Sequence, residues 1–430
     1  MSAAVSARSI VDRLKASGFQ AFFVGGCVRD LLSGHTPHDF DIATSARPEE
    51  ILALYPKAGL VGAHFGVVMV GAVEVATFRS DGGYADGRRP DAVRFEIDPR
   101  ADVLRRDFTI NALLMDPGSG EITDYAGGRA DLEAGIIRAI GDPATRFAED
   151  HLRLLRAVRF AARLGFTIEP DTFAAIQAMA GLVSRVAIER IREEISRILT
   201  EGGAKRGFEL LDSTGLLLRV LPEIKALQGV EQPPEFHPEG DVWKHTLLML
   251  DQLRNPSIGL ALGVLLHDVG KPATFRVADR IRFDGHVEVG VEIAHALLTR
   301  LKYPHDVIAQ AVALIQNHMR FMDAPRMKAS TLKRFLRMPD FHEHLELHRL
   351  DCLSSNGRLD NFNFVQARLE ALAPEQLKPA PLLTGNDLIA AGYRPGPAFG
   401  KVLREVEDAQ LEGRVATTSE ALALARGLLA

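Results

Sequence analysis

The chain has 430 residues, enough for two to four domains, and its 47% hydrophobic and 25% charged content is ordinary for a soluble globular protein. No apolar run reaches the roughly 18 residues that a membrane span needs, and two cysteines, Cys27 and Cys352, make neither a disulfide framework nor a zinc ribbon. A formal net charge of −5 excludes a surface that grips nucleic acid everywhere, but leaves room for a local basic groove.

The N-terminal stretch up to Gly18 predicts an amphipathic helix. Arg8, Asp12, Arg13 and Lys15 interrupt it too often for a signal peptide, so the expected location is cytoplasmic. Phe22-Phe23-Val24 reads as a buried strand ending in Gly25-Gly26, followed by a short helix through Val28-Arg29-Asp30 and a turn at Ser33-Gly34. A second strand, Asp39-Phe40-Asp41-Ile42-Ala43, carries carboxylates at i and i+2, which a strand turns to one face. Two such acids beside a glycine-lined turn suit Mg²⁺ and a nucleoside triphosphate. Asp-x-Asp alone reads better as a solvated edge strand; the adjoining Gly-Gly-x-Val-Arg-Asp turns the reading to catalysis.

Arg47-Pro48-Glu49-Glu50 starts a helix that ends near Tyr55-Pro56. Two β-rich runs, His64–Gly71 and Val73–Arg79, predict a hairpin turning at Gly71-Ala72. Glu74 is either a third acid beside Asp39 and Asp41 or an exposed residue of an edge strand. Ser80–Asp91 reads as a long polar loop. Arg105-Arg106-Asp107 suits triphosphate oxygens, with Asp107 steadying the guanidinium forks, or is a surface ion cluster; a core-type run through Asn111 and Met115 follows. Turns at Asp116–Gly120 and Asp124–Leu132 close this part.

From Asp142 the chain becomes helical. A helix over Glu149–Arg163 is predicted, with Arg153, Arg156, Arg159 and Arg163 as one basic stripe suited to phosphates and Leu152, Leu155, Val158 and Ala162 as its packing face. Glu149, Asp150 and Arg153 within one turn could present a mixed donor and acceptor edge to a nucleobase, or form an ordinary helix ion pair. Helices over Asp171–Met179 and Ile188–Leu199, a break at Gly202-Gly203 and a further helix to Leu221-Pro222 complete this region.

These motifs, in order over roughly residues 20–225, resemble the class II nucleotidyltransferases, which comprise bacterial CCA-adding enzymes and bacterial poly(A) polymerases. The resemblance implies an α+β protein, with a polymerase-β-like head built on a small mixed sheet and all-α neck, body and further helical domains. It implies that Asp39 and Asp41 bind Mg²⁺ and that Gly25, Gly26 and Arg29 hold the triphosphate. Arg106, Asp107 and Asn111 would lie at the nucleotide's sugar and phosphates, and Asp150 and Arg153 would read the base of CTP or ATP, with Arg156 and Arg159 alongside. The partner is the tRNA 3′ end, and no membrane is involved. The stretch Asp81–Asp91 falls where the family has an element tied to switching from C to A addition.

Gln232–Pro238 is a linker by composition. Beyond it, His245 opens an apolar helix, His267-Asp268 ends the next one, and Asp351 lies on a later helix. Imidazoles and carboxylates from several helices suit Mn, Fe, Ni or Mg. The series His245, His267-Asp268, Asp351, with Gly270-Lys271-Pro272, resembles the HD phosphohydrolase superfamily. His286 and His318 match positions that some members use as further ligands. His342, His344 and His348 are expected on a helix surface. The resemblance implies metal-dependent hydrolysis of phosphate esters, as a phosphatase or 2′,3′-cyclic phosphodiesterase.

The expected domains are 1–141 (head), 142–230 (neck and body), 231–375 (HD-type) and 376–430 (C-terminal helices). A poly(A) polymerase, an enzyme adding only CC or only A, and an inactive RNA-binding head joined to an HD nucleotide hydrolase stay open. The acidic balance favours the tRNA enzyme, and the intact Asp39, Asp41, Arg106 and Asp107 speak against a dead head.

Overall fold

The computed structural model describes residues 3–60, 66–83 and 92–429. These form two compact units. The first comprises residues 1–225 with 253–255 and 300–303, and the second the remainder.

Two short strands of the first unit, Ile136–Ile137 and Thr167–Ile168, pair in parallel with each other; its other nine among the described residues are β1 (Ala21–Val24), β2 (Asp41–Thr44), β3 (Gly59–Leu60), β4 (Val67–Val70), β5 (Val73–Thr77), β6 (Arg79–Gly82), β7 (Ala92–Phe95), β8 (Leu113–Met115) and β9 (Ile122–Asp124). Seven of them make one mixed sheet, ordered β3-β4-β5-β2-β1-β8-β9, in which only β2 and β5 run parallel. Alternation gives the sheet its two cores. Phe23, Ile42 and Val75 pack on one face with Ala7, Ile10, Val11 and Leu14 of the helix α1 (Ala3–Ala16), an i, i+3, i+4, i+7 stripe. Val24 and Ala43 pack on the other with Phe78, Val103 and Leu114.

The helices of this unit are α2 (Gly26–Leu32), α3 (Pro48–Leu54), α4 (Pro99–Leu104), α5 (Gly128–Ala134), α6 (Pro143–Glu149), α7 (Arg153–Leu164), α8 (Pro170–Met179), α9 (Ile188–Thr200), α10 (Ala204–Ser213), α11 (Leu216–Val220) and α12 (Pro222–Lys225). Three expectations are corrected here. Asp39 is exposed and precedes the strand, which begins at Asp41. Ser80–Gly82 is not loop, because Arg79–Gly82 pairs antiparallel with Ala92–Phe95; residues 84–91 of the expected loop, and His64-Phe65 of the expected hairpin, lie outside the described residues. The helix expected over Glu149–Arg163 is two helices, broken at Asp150, whose backbone is extended (φ −145°, ψ 106°).

The second unit runs through α13 (Val242–Asp251), α14 (Ile258–Leu266), α15 (Lys271–Thr274), α16 (His286–Arg300), α17 (His305–Asn317), α18 (Ala329–Leu336), α19 (Phe341–Ser354), α20 (Asp360–Ala371), α21 (Pro374–Leu377), α22 (Gly385–Ala390), α23 (Pro397–Leu411) and α24 (Thr418–Leu429). Helix α14 is apolar on every side and buried from Gly259 to Leu266, with Ser257 capping its start through the Leu260 N–H at 3.0 Å. Arg276-Val277 and Ile281-Arg282 add a short hairpin that the helical reading lacked. No helix among the described residues is long and apolar enough to cross a membrane.

Candidate functional site

In the first unit, β1 ends at Val24 and the chain turns through Gly25 at φ +77°, a conformation that favours glycine. A Cβ there would lie 3.7 Å from both Asp41 Oδ2 and Arg106 Nη1, so the glycine turn, the acid and the guanidinium meet at one point. Across the parallel pair, Asp41 stands in register with Glu74. Burial, then the Glu74 carboxylate, push Asp41 up to about 6 despite Arg106, and Asp39 adds to the rise. A cavity of about 240 Å³ is lined by Asp41, Glu74, Arg79, Arg105 and Arg106. Arg106 donates from Nη2 to Asp102 at 2.8 Å, while its buried Nε has no hydrogen-bond partner among the described residues. Carboxylates gathered here offer the hard oxygen donors that suit Mg²⁺, and the unmet Nε–H is a donor for an anionic oxygen.

The remaining residues expected at the nucleotide form a polar chain behind this cavity. Arg29, 3% exposed, donates to Asp30 (3.0 and 2.7 Å) and to Asn111 Oδ1 (2.7 Å). Asn111 Nδ2 donates to Asp107 at 3.2 Å, and Asp107 accepts from Arg156 at 2.8 Å. Burial alone would raise Asp107, but the Arg156 guanidinium holds it down to about 2. Arg156 also nears Glu194, and Arg159, 2% exposed, bonds Glu194 at 2.5 Å and reaches Glu201 at 3.4 Å, as Arg163 does at 3.5 Å. The expected basic stripe is therefore matched by the acids of α9 and its C-terminal end, and is no free phosphate surface. Leu152, Leu155, Val158 and Ala162 are all buried, as the packing face required.

Asp150 and Arg153 are not paired with each other. Asp150 takes a bidentate pair from Arg190 of α9 at 3.1 and 2.8 Å. Arg153 pairs with Glu149 and donates to the carbonyls of Arg146 (2.9 Å) and Arg105 (3.0 Å). The break at Asp150 separates the two, and a helix N–H uses the acid as well: Leu152 donates to Asp150 Oδ1 at 3.1 Å.

In the second unit, residues from three helices and from the segments that follow α14 and α17 converge. His245 (α13), His267 (the end of α14) and Asp351 (α19) bring ligand atoms within 4.8 Å of one another, as do Asp268, His286 and His318. Asp268 joins the two sets, with Oδ2 3.1 Å from His267 Nε2 and Oδ1 3.9 Å from His286 Nε2. The Nε2 atoms of His245, His267 and His286 are buried without a well-aligned hydrogen bond among the described residues, although Asp351 and Asp268 oxygens lie 3.1 Å from the first two. Buried imidazole nitrogens and carboxylate oxygens converging in this way fit a divalent metal. Burial alone would lower His245, yet Asp351 and Glu239 push it up to about 9, so the surrounding carboxylates attract a positive charge, a proton or a metal ion in its place. Lys271 lies 2.7 Å from Asp268. A cavity of about 540 Å³ opens beside these groups, lined among others by Phe236, Phe283, Met319, Arg358 and Asn361.

His344 and His348, expected on a surface, are buried at 3% and 4%, and His348 stacks on Phe321 with centroids 4.4 Å apart; only His342 is exposed. Sequence reasoning missed Glu239, which accepts from His237 and His245 at 2.8 Å each. It sits in Phe236-His237-Pro238-Glu239-Gly240, which reads as linker.

Three family models match the chain: "Poly A polymerase head domain" over residues 21–138, "Probable RNA and SrmB- binding site of polymerase A" over 165–228, and "tRNA nucleotidyltransferase domain 2" over 286–425. A CCA-adding enzyme of Limosilactobacillus fermentum is 33% identical over 98% of this chain and 96% of its own length. One from Geobacillus stearothermophilus is 46% identical over a stretch covering 49% of this chain and 53% of its own. The crystal structure of the Bacillus stearothermophilus CCA-adding enzyme in complex with CTP superposes with a TM-score of 0.76 at 29% identity, covering 99% of this chain and 98% of that one. A polymerase-β-like head with a mixed sheet followed by a mostly helical body is the architecture these structures share. The chain is a nucleotidyltransferase and belongs to the family of CCA-adding enzymes.

Proposed function

We propose that this chain adds C, C and A to the 3′ end of tRNA from CTP and ATP. The observation that carries the reading is the meeting of Gly25, Asp41, Glu74 and Arg106 at one cavity, with the Arg106 Nε–H unmet. Asp39, Asp41 and Glu74 would hold Mg²⁺, which when bound supplies charge neutralisation at the leaving pyrophosphate and activation of the RNA 3′-hydroxyl. The open backbone at Gly25-Gly26 leaves room for the triphosphate, and Arg106 donates to its oxygens. Asp107, held by Arg156 and Asn111, fixes the floor of the nucleotide site, and Arg29, buried behind it, positions Asn111. Asp150 and Arg153 read the base edge, the first oriented by Arg190 and the second by Glu149.

A second activity is favoured by the converging buried imidazoles and carboxylates of the other unit. His245, His267, Asp268, His286 and Asp351 would hold a divalent metal of an HD-type phosphohydrolase, which when bound supplies an activated water and polarises a phosphate ester. Lys271 and Arg358 provide cationic donors along the cavity wall. The substrate class is a phosphate monoester or 2′,3′-cyclic phosphate.

Incubation with tRNA lacking its 3′ end and with labelled CTP and ATP, singly and together, tests the first reading. Three additions ending at CCA support it. Long A tails would make the chain a poly(A) polymerase, and arrest after CC, or A added only to a CC end, would make it a partial enzyme.

A further inference from the structure

All four imidazoles facing the second-unit centre are tied back through Nδ1. His267 meets the Val264 carbonyl at 2.9 Å, His286 the Phe283 carbonyl at 2.9 Å and His318 the Ile315 carbonyl at 2.7 Å. His245 instead meets Glu239 Oε1 at 2.8 Å. A carbonyl or an ionised carboxylate only accepts, so each contact fixes a proton on Nδ1 and turns Nε2 toward the centre, where a bound metal would take the place of any proton on it. His245 is fully buried, and its Nε2 lies 3.1 Å from Asp351 Oδ1.

Glu239 differs from the other anchors in kind and in origin. It is a charged side chain, 7% exposed, from the segment that precedes α13. That segment is clamped at both ends: Gln232 Oε1 accepts from Lys271 Nζ at 2.6 Å, and the Gln232 N–H donates to the Gly240 carbonyl at 3.2 Å. Glu239 Oε1 also meets His237 Nδ1 at 2.8 Å, and His237 lines the 540 Å³ cavity.

We propose that Glu239 is the positioning residue of this metal centre: its carboxylate holds His245 with the proton on Nδ1 and directs Nε2 toward the ion shared with His267 and Asp351. The inference rests on the proposed metal centre. A carboxylate behind a ligating imidazole fixes ring and tautomer and strengthens the ligand, and its loss characteristically weakens metal binding by about 10–100-fold. The alternative is that His237, Glu239 and His245 hold a separate ion through Nδ1 of His245, the atom 2.8 Å from Glu239, and a His237→Ala variant separates the two.

The test uses the full chain carrying Asp39→Ala and Asp41→Ala, so that the other unit takes no metal. After chelation it is titrated with Co²⁺ by calorimetry and by its visible d–d bands. Glu239→Ala should weaken Co²⁺ binding by about 10–100-fold and change the d–d spectrum at unchanged stoichiometry. Glu239→Gln, which keeps a neutral acceptor, should lose less, and His237→Ala should stay within about threefold of the parent. In the Zn²⁺-loaded parent, ¹⁵N spectra should show His245 protonated at Nδ1, a readout that holds even where a variant fails to fold. Wild-type affinity in Glu239→Ala, or His245 protonated at Nε2, would overturn the proposal while leaving the metal centre standing. Loss of one bound ion in His237→Ala would overturn it in favour of a separate site. Absence of any Co²⁺ binding by the parent would overturn the metal centre itself and the proposal with it.

Discussion

Asp41 and Glu74 stand opposite each other on β2 and β5, the one parallel pairing in the seven-stranded sheet. In register across a sheet, two side chains point to the same side, so these carboxylates repel unless a cation lies between them. Their repulsion is part of what raises Asp41 to about 6.

Asp39→Ala and Asp41→Ala should each lower nucleotide incorporation by about 10³-fold or more, corresponding to several kcal/mol of lost charge stabilisation. Glu74→Gln should act more mildly, by about tenfold, and raise the Mg²⁺ concentration needed for half-maximal rate. Labelled-nucleotide incorporation across a Mg²⁺ titration measures both. A Glu74→Gln enzyme with an unaltered Mg²⁺ curve would remove Glu74 from the metal set.

Asp107 gives a pH prediction. Its folded value, about 2, lies below the ordinary carboxylate range, so the native state holds its proton less tightly than the unfolded chain does. The associated stability, about 2 kcal/mol, is therefore complete above roughly pH 4 and lost as pH falls toward 2. Denaturant unfolding between pH 5 and 2 should show that loss in the parent, and Asp107→Asn should flatten it. An equally steep decline in the variant would assign the acid sensitivity elsewhere.

Gly270 sits where two backbones touch. A Cβ there would stand 2.1 Å from the His286 carbonyl oxygen and 2.6 Å from the Gly290 nitrogen, and backbone atoms have nowhere to retreat. Gly270→Ala should cost about 1–3 kcal/mol, lowering the melting of its unit by roughly 3–10 °C, and weaken metal binding by displacing His286. Nucleotide incorporation should persist. Calorimetric scans of the chelated and Co²⁺-loaded variant would expose an unperturbed unit, the result at odds with this packing.

Arg190 holds Asp150 by both guanidinium nitrogens. Arg190→Ala should reduce kcat/KM for CTP and ATP by about tenfold or more and relax discrimination between them, while costing only about 1 kcal/mol of stability for a partly exposed pair. Unchanged selectivity in competition assays with both nucleotides would show that Asp150 needs no such support.

Local chemistry made much of this legible. The glycine turn at Gly25-Gly26 and the strand carrying Asp41 depend on neighbours in sequence, as does the placement of His267-Asp268 at the end of an apolar helix; the shared strand face expected for Asp39 and Asp41 did not follow, because Asp39 precedes the strand. Where the reading failed, distant residues decided. Helical periodicity continues straight through Asp150, yet Arg190, 40 residues on, holds its carboxylate, and the Leu152 N–H uses it to start a new helix. The arginines of α7 look like a phosphate surface until Glu194 and Glu201 are folded against them. His344 and His348 have the polarity of a surface, but α19 runs through a core where Phe321 stacks on His348. Glu239 carries no signal except an acid two residues after a histidine in a proline-rich segment.

The anchors of the four imidazoles also differ in what a point mutation can reach. Those of His267, His286 and His318 are main-chain oxygens three residues earlier in the chain, which no substitution deletes, whereas that of His245 is a side chain encoded at position 239. The outline of the centre is thus inherited from its helices, and one codon offers a dial for how tightly it holds its ion.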